Sequence, residues 1–394
     1  MQHEQPISLP PPDEPSAQHS ARVLEHLHQH ISNAGGAISF AEFMHECLYA
    51  SGLGYYSAGS VKFGSAGDFI TAPEVSPVFG RVLARQCSEV LQQLDSGQVL
   101  EFGAGSGRLA VDLLLALEAL DSLPSVYNIL EVSADLQHRQ RELLQSAVPH
   151  LLDRVQWLSG MPTDFNGVVI ANEVLDAQPV ERFQRRDTAT YQCCVASEDG
   201  KLTWTQRSAP AALSAALDSI EADLGAPLAD GYTSEVSLAS PIWVADIASC
   251  LRIGVVFLFD YGVSRREYYA ADRSDGWLRC HFRHHAHNNP LLYPGIQDLT
   301  AWVDFSAIAA AAVANDLDIV GYQTQAQFLM GGGLEAEMQN FSELSVAKQL
   351  ELSGQIKTLT LPGEMGENFK CIALARGDIH APSAFNFADR TQTL

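Results

Sequence analysis

Residues 98–110 read Gln98-Val-Leu-Glu101-Phe-Gly103-Ala-Gly105-Ser-Gly107-Arg-Leu-Ala110. A short apolar run holding one acid passes into glycines at alternate positions, and the helical pattern of Leu109–Leu120 follows. Glycine lets backbone approach a ligand closely, and the turn delivers the chain to a helix N-terminus with unpaired amides. Comparable apolar runs recur at 127–132 (YNILEV), 154–158 (RVQWL), 167–171 (GVVIA) and 254–259 (GVVFLF), with helical patterns such as Ala134–Ser146 between several of them. Most lack polar alternation, as strands of a parallel sheet covered on both faces do. The spacing predicts an α/β, doubly wound, mostly parallel sheet.

In such a sheet, ligands bind outside the carboxyl ends of the strands. Those ends carry Glu101 with its glycine loop, Glu131, Asn172-Glu173 and Asp260-Tyr261-Gly262. Three readings of the loop compete. It is a tight turn that binds nothing, a dinucleotide site or a site for S-adenosylmethionine (SAM). Gly105-Ser-Gly107-Arg-Leu-Ala110 satisfies the dinucleotide pattern G-x-G-x-x-A, with Glu131 roughly twenty residues on, where a ribose-binding acid belongs. The same stretch satisfies E-x-G-x-G-x-G of SAM enzymes, opened by Glu101, and Glu131 again takes the ribose hydroxyls. A carboxylate at Glu101 suits a cationic sulfonium and amino group better than a pyrophosphate. The acidic rim would also repel a dinucleotide's two negative charges. SAM is therefore favoured over NAD, with Glu101, Gly103, Gly105, Gly107, Glu131 and Asn172 as its expected binding residues.

Composition narrows the class further. At roughly 150 residues per domain, 394 residues predict two or three packing units. Lys plus Arg number 24 against 47 Asp plus Glu, a net charge of −23. Phosphate contacts dominate nucleic-acid affinity, so a nucleic-acid partner is disfavoured. Seven cysteines without a C-x-x-C pair signal neither a disulfide framework nor a zinc site. No apolar run approaches the roughly 20 residues of a membrane span. The N-terminus lacks a secretory pattern and is acidic rather than Arg-rich, so a cytoplasmic protein is expected.

Along the chain, proline-rich residues 1–20 read as a flexible tail, and 21–95 as an N-terminal helical region with a glycine-rich loop. Ser39 and Glu42 form a capping-box pattern within it. Residues 96–378 read as the sheet domain, interrupted at 196–235 by a hairpin-like segment with an Ala-rich helix, and at 263–300 by a His/Arg-rich segment. Both are too long for ordinary connections and read as insertions on the substrate side. Asp304 is a predicted N-cap, 318–329 and 369–376 are the predicted last strands, and 379–394 reads as a C-terminal tail.

Six motifs occur in order. They are Gly54-Tyr55-Tyr56, Gly67-Asp68-Phe69-Ile70-Thr71-Ala72-Pro73-Glu74-Val75-Ser76, the Glu101 loop, Ala171-Asn172-Glu173-Val-Leu-Asp176-Ala-Gln-Pro179-Val180, Phe259-Asp260-Tyr261-Gly262 and Asp298-Leu-Thr300-Ala-Trp-Val-Asp304-Phe305. Together they resemble the MidA-like SAM-dependent methyltransferases over residues 37–377, a family that includes a mitochondrial arginine methyltransferase of respiratory complex I assembly. The resemblance implies a class I methyltransferase fold, Rossmann-like, with an accessory helical region. It also implies a protein acceptor, with a respiratory complex subunit as one candidate, and it leaves a homodimer open. A small-molecule amine methyltransferase and a SAM-binding assembly factor without turnover remain as alternatives.

For an arginine acceptor, carboxylates must grip the guanidinium so that one nitrogen faces the methyl group. Glu173 is the first candidate, because strand-four ends face the acceptor in this fold. The competing reading is a helix N-terminal acid stabilised by the dipole. Asp176, three residues on, shares a helical face with Glu173 or serves as a cap. Glu235 and Asp260 are second candidates. The resemblance implies that the loop with Asp68 and Thr71 closes over the cofactor, against a plain turn. Trp157 is either an adenine neighbour or core. His281, His284, His285 and His287 have imidazole spacing suited to metal, but Arg279 and Arg283 interleave with them and no familiar acid or cysteine partner is present. No metal is expected, and a substrate-facing basic segment or a solvated loop remains.

Overall fold

The computed structural model describes residues 9–58 and 70–394, and the chain divides into two compact units. One unit gathers 70–175, 241–264 and 303–394; the other gathers 9–58 with 176–240 and 265–302. The predicted insertions thus fold mainly with the described residues before 59, whereas 70–95 of the expected N-terminal region belong to the sheet unit.

The first unit holds strands β1 (Gln98–Phe102), β2 (Tyr127–Leu130), β3 (Val155–Leu158), β4 (Phe165–Asn172), β5 (Leu251–Val263), β6 (Asp318–Thr324) and β7 (Phe369–Arg376). Their order is β6-β7-β5-β4-β1-β2-β3, and the short strand Val303–Asp304 adds to β5. β1 to β5 run parallel, while β7 lies antiparallel to both β5 and β6. The strand order turns back between β1 and β4, so the switch point falls at their carboxyl ends.

The missing alternation in these strands has a direct cause. β4 sends Val168 and Ile170 into one core and Val169 and Ala171 into the other. β5 likewise splits Val255, Phe257 and Phe259 from Val256 and Leu258. Successive side chains point to opposite faces, and both faces are covered. Helices Pro77–Leu91 and Arg108–Ala119 contribute to one core and Phe305–Ala314 to the other. Each buried Val or Phe contributes on the order of 1.5–3 kcal/mol. Asp304 caps Phe305–Ala314 as expected, accepting from the amides of Ser306 and Ala307 at 3.0 and 3.2 Å.

Two expectations change here. The strand expected over 318–329 stops at Thr324, because Thr324 and Gln327 form a reciprocal capping box that starts helix Gln325–Gly331. The C-terminal segment is not loose throughout. Phe385 is buried against Phe257 and Phe328, and Gly321 leaves the space its ring occupies.

In the second unit, helix Glu14–Asn33 begins inside the expected tail, because Asp13 accepts from the Ser16 amide at 2.9 Å and caps it. Its Val23, Leu27 and Ile31 join Phe43 and Leu48 of helix Phe40–Tyr49 in a third core. The Ser39–Glu42 capping box that starts the latter helix forms as read, with bonds of 3.1 and 2.8 Å. Strand Ala189–Glu198 pairs on one side with Lys201–Ser208 and on the other with Glu181–Arg186 and Ala37–Ser39. Thr233–Val236 continues the sheet beyond Glu181–Arg186. Leu278–Phe282 is the centre of a separate three-stranded sheet with His285–His287 and Asp298–Ala301.

Candidate active site at the carboxyl ends of the parallel strands

The loop leaving β1 holds Gly103, Gly105 and Gly107 at φ of 59°, 54° and 85°, the left-handed region where side chains are strained. A Cβ on Gly103 would lie 3.1 Å from Val174, and one on Gly107 would lie 3.3 Å from Gln140. Conformation therefore favours glycine at all three positions, and at Gly103 and Gly107 a Cβ would also crowd its neighbour. Gly107 then caps helix Arg108–Ala119.

Glu101 is buried just before the loop, its Oε2 accepting from the Tyr127 hydroxyl at 2.7 Å. Burial pushes its carboxyl up to about 7; the Tyr127 bond opposes the rise and nearby Glu131 adds to it. Glu131 follows β2, also buried, with Oε1 accepting from the Ser133 amide at 3.0 Å and Oε2 from Gln140 at 3.1 Å. Burial raises its carboxyl too, against those hydrogen bonds.

Gln140 was absent from the sequence reading. Fully buried in helix Ala134–Ala147, it donates to the Gly105 carbonyl at 3.0 Å and to Glu131, and accepts from Trp157 Nε1 at 2.9 Å. One amide thus ties the glycine loop to the ends of β2 and β3. The signal was present, since Gln140 interrupts the buried stripe Leu136, Gln140, Leu144 at helical spacing. Trp157 is partly buried, with the Arg141 guanidinium 4.3 Å over its ring. Glu74 was missed as well. It sits in the short helix Ala72–Val75, which Thr71 precedes as N-cap, and accepts a hydrogen bond from Ser106 of the glycine loop. Asp68 lies outside the described residues.

At the end of β4, Asn172 Nδ2 donates to Glu173 Oε1 at 3.1 Å, while Asn172 Oδ1 is buried without a hydrogen-bond partner. Glu173 holds φ 54°, and its amide donates to the Phe259 carbonyl at 2.9 Å. Of the two readings for Asp176, a helical face shared with Glu173 or a cap, the shared helix does not form. The chain bends at Glu173 and turns at Asp176, so no helical face joins them. Asp260 ends the buried part of β5 with both oxygens on backbone, Oδ2 accepting from the Leu175 amide and Oδ1 from that of Tyr261, each at 2.9 Å. It anchors the segment that follows β4.

The switch point therefore gathers Glu101, Gly103, Gly105, Gly107, Glu131, Asn172, Glu173 and Asp260 within one unit, to which Thr71 also belongs. Asp176 and Glu235 belong to the other unit. There Asp176 is buried, its carbonyl accepting from the Ala301 amide at 2.9 Å. Glu235 is fully buried, paired with Arg182 and accepting from the Trp277 amide at 2.7 Å. Burial raises its carboxyl, and Arg182 opposes the rise. Gly276 packs so closely on this carboxylate that no Cβ fits. Glu235 already grips a guanidinium, that of its own chain.

The switch point offers hydrogen-bond acceptors, the carboxylates of Glu101 and Glu131 and the buried, unpartnered Asn172 oxygen, a set suited to a ligand with hydroxyl and N–H donors. The ribose and ammonium of SAM supply such donors. A family model described as "Putative S-adenosyl-L-methionine-dependent methyltransferase" matches residues 82–323. The chain belongs to the MidA-like SAM-dependent methyltransferases. Over 88% of its length it is 30% identical to the zebrafish (Danio rerio) mitochondrial protein arginine methyltransferase NDUFAF7, covering 85% of that protein. A fruit-fly (Drosophila melanogaster) homologue is 28% identical over 95% of this chain and 91% of its own. A crystal structure from Burkholderia thailandensis bound to S-adenosyl-homocysteine is 39% identical, with a TM-score of 0.91, covering 98% of this chain and 100% of that one. The fold of this MidA-like chain is that of the α/β methyltransferases, and its cofactor is SAM rather than NAD. Among the described residues, no helix is long and apolar enough to cross a membrane, and no His, Cys, Asp or Glu group is placed to hold a metal ion.

Proposed function

We propose that this methyltransferase acts on an arginine of a protein, with Glu173 as the carboxylate that grips the guanidinium. The observation carrying the reading is the conformation of Glu173. A non-glycine residue held at φ 54° at the end of β4 stores backbone strain, and such strain concentrates where a side chain must be aimed. Asn172 orients the carboxylate through its bond to Oε1, and Asp260 fixes the following segment by holding the Leu175 amide. Glu131, set by Ser133 and Gln140, takes the ribose; Glu101 and the Asn172 oxygen take the cofactor's amino end. When bound, SAM supplies an electrophilic methyl on a sulfonium leaving group. Glu173 pairs with the guanidinium, orients one nitrogen for in-line attack and receives the proton that this nitrogen loses. The names of the two animal relatives support arginine as the acceptor.

The test is Glu173→Gln, assayed with methyl-labelled SAM and lysate from cells lacking the protein. Unchanged cofactor binding by calorimetry with loss of a labelled protein band is expected. Label in a small molecule instead would establish an amine methyltransferase. Cofactor binding without any transfer by the natural protein would establish an assembly factor.

A further inference from the structure

Strand Lys201–Ser208 forms an edge of the five-stranded sheet. It pairs along its whole length with Ala189–Glu198, from Tyr191 opposite Ser208 to Glu198 opposite Lys201, and no described strand pairs with its other side. Long edges are normally blunted by charged side chains such as Lys, by proline or by a bulge. This one has no proline, its register is unbroken, its charges Lys201 and Arg207 lie toward its two ends, and its centre, Leu202-Thr-Trp204-Thr205, has high strand propensity.

A cavity of about 630 Å³ lies against this strand, and its lining includes Trp204, Thr205 and Gln206 together with Arg182, Arg186 and the carboxylate of Asp275, which pairs with Arg182. Trp204 remains 43% exposed although its ring packs on Phe40. The two arginines differ in their company. Arg182 is neutralised by Glu235 and Asp275. Arg186 donates only to the neutral amide oxygens of Gln184 and Gln206, at 3.0 and 2.9 Å, and rests 5.2 Å over the Tyr191 ring. Lys201 and Arg207 belong to the strand's other face, where Arg207 donates to the Gln192 amide oxygen at 2.7 Å and Gln192 in turn donates to Glu181, so neither lines the cavity. In a chain of net charge −23, Arg186 is thus the lining cation that has no acidic partner among the described residues.

We propose that this groove docks an acidic, extended segment of a protein partner. The segment adds a strand to Lys201–Ser208 through main-chain hydrogen bonds, seats a carboxylate on Arg186 and lays an apolar residue on Trp204. Strand addition supplies affinity and the alternate side chains supply selectivity. The chain's overall negative field repels a polyanion such as nucleic acid, whereas one or two carboxylates aimed at Arg186 make a local charge-assisted contact. The inference stands independently of the methyl-acceptor reading.

The experiment uses the full-length protein and fluorescein-labelled Thr-Glu-Val-Glu-Thr-Val-Glu-Thr at low salt, read by anisotropy. Saturable binding is expected, with loss of about tenfold or more in the exposed variant Arg186→Glu and weakening in Trp204→Ala. The same peptide with Lys for Glu, or with N-methyl groups on alternate amides, should not bind. SAM affinity, measured by calorimetry, should be unchanged in both variants, which separates this site from the cofactor site. The proposal is overturned if the acidic peptide does not bind, if Arg186→Glu or N-methylation leaves binding intact, or if labelled oligothymidylate binds more tightly.

Discussion

Gln140 Nε2 lies 3.1 Å from Glu131 Oε2, so a buried neutral amide sets the direction of the carboxylate assigned to the cofactor ribose. Because the same amide also holds Gly105 and Trp157, its replacement should disturb the loop and two strand ends together. Gln140→Leu strands two buried acceptors and one donor at about 1–3 kcal/mol each before relaxation. We expect roughly 2–4 kcal/mol lost in chemical denaturation and at least tenfold weaker SAM binding. Combining it with Glu131→Ala should cost less binding than the sum of the single changes. Additive losses in calorimetry would show that the two residues act separately.

With Glu101 assigned to the cofactor as proposed, its titration should link cofactor binding to pH. Its carboxyl rises from an ordinary 4.5 to about 7 through burial, so across that window the folded protein holds a proton that the unfolded chain has released. The raised value contributes stability below 4.5 that is lost as pH rises through 7. Glu101→Gln, which keeps an acceptor for Tyr127, should raise Tm more at pH 8 than at pH 5. It should also weaken SAM binding, since the ionised form favours the cationic ligand. For the natural protein, SAM affinity should increase between pH 6 and pH 8 with proton release on binding. Equal Tm gains at both pH values would contradict the assignment.

In the proposed reading, Glu173 pairs its left-handed backbone with acceptor binding. Glu173→Gly should relieve the left-handed backbone and stabilise the fold by about 1 kcal/mol, while methyl transfer falls by a hundredfold or more. Thermal unfolding and turnover measured on one preparation check both. A fall in stability with activity retained would make Glu173 a structural residue.

The Glu235–Arg182 pair separates packing from acceptor binding. Glu235→Ala leaves the Arg182 charge without its buried partner and should cost about 3–5 kcal/mol. The double variant Arg182→Met/Glu235→Leu should recover most of that stability and retain transfer. Recovered stability with lost transfer would instead return Glu235 to the acceptor site.

Much of the parallel sheet was legible because its strands alternate between two apolar cores, which leaves uninterrupted runs such as Val168–Ala171. The strand-end residues followed, since parallel topology brings carboxyl ends to one rim. What was not legible depends on distant neighbours. The bend at Glu173 is held by a bond to Phe259 on another strand, so local pattern alone suggested a helix. Glu235 meets an arginine 53 residues away, and no spacing rule reports that pairing. Gln140 and Thr324 were readable in principle, one as a polar break in a leucine stripe and the other as a capping box.

The central claim is transfer of a methyl group to a protein arginine. Its most direct test is complete hydrolysis of the protein band labelled by the purified enzyme and methyl-labelled SAM, followed by amino-acid chromatography. The account predicts label in methylated arginine, absent when Glu173→Gln replaces the natural enzyme. Label in methyl-lysine, in a carboxyl methyl ester, or in arginine at undiminished level with the Glu173→Gln variant would contradict it.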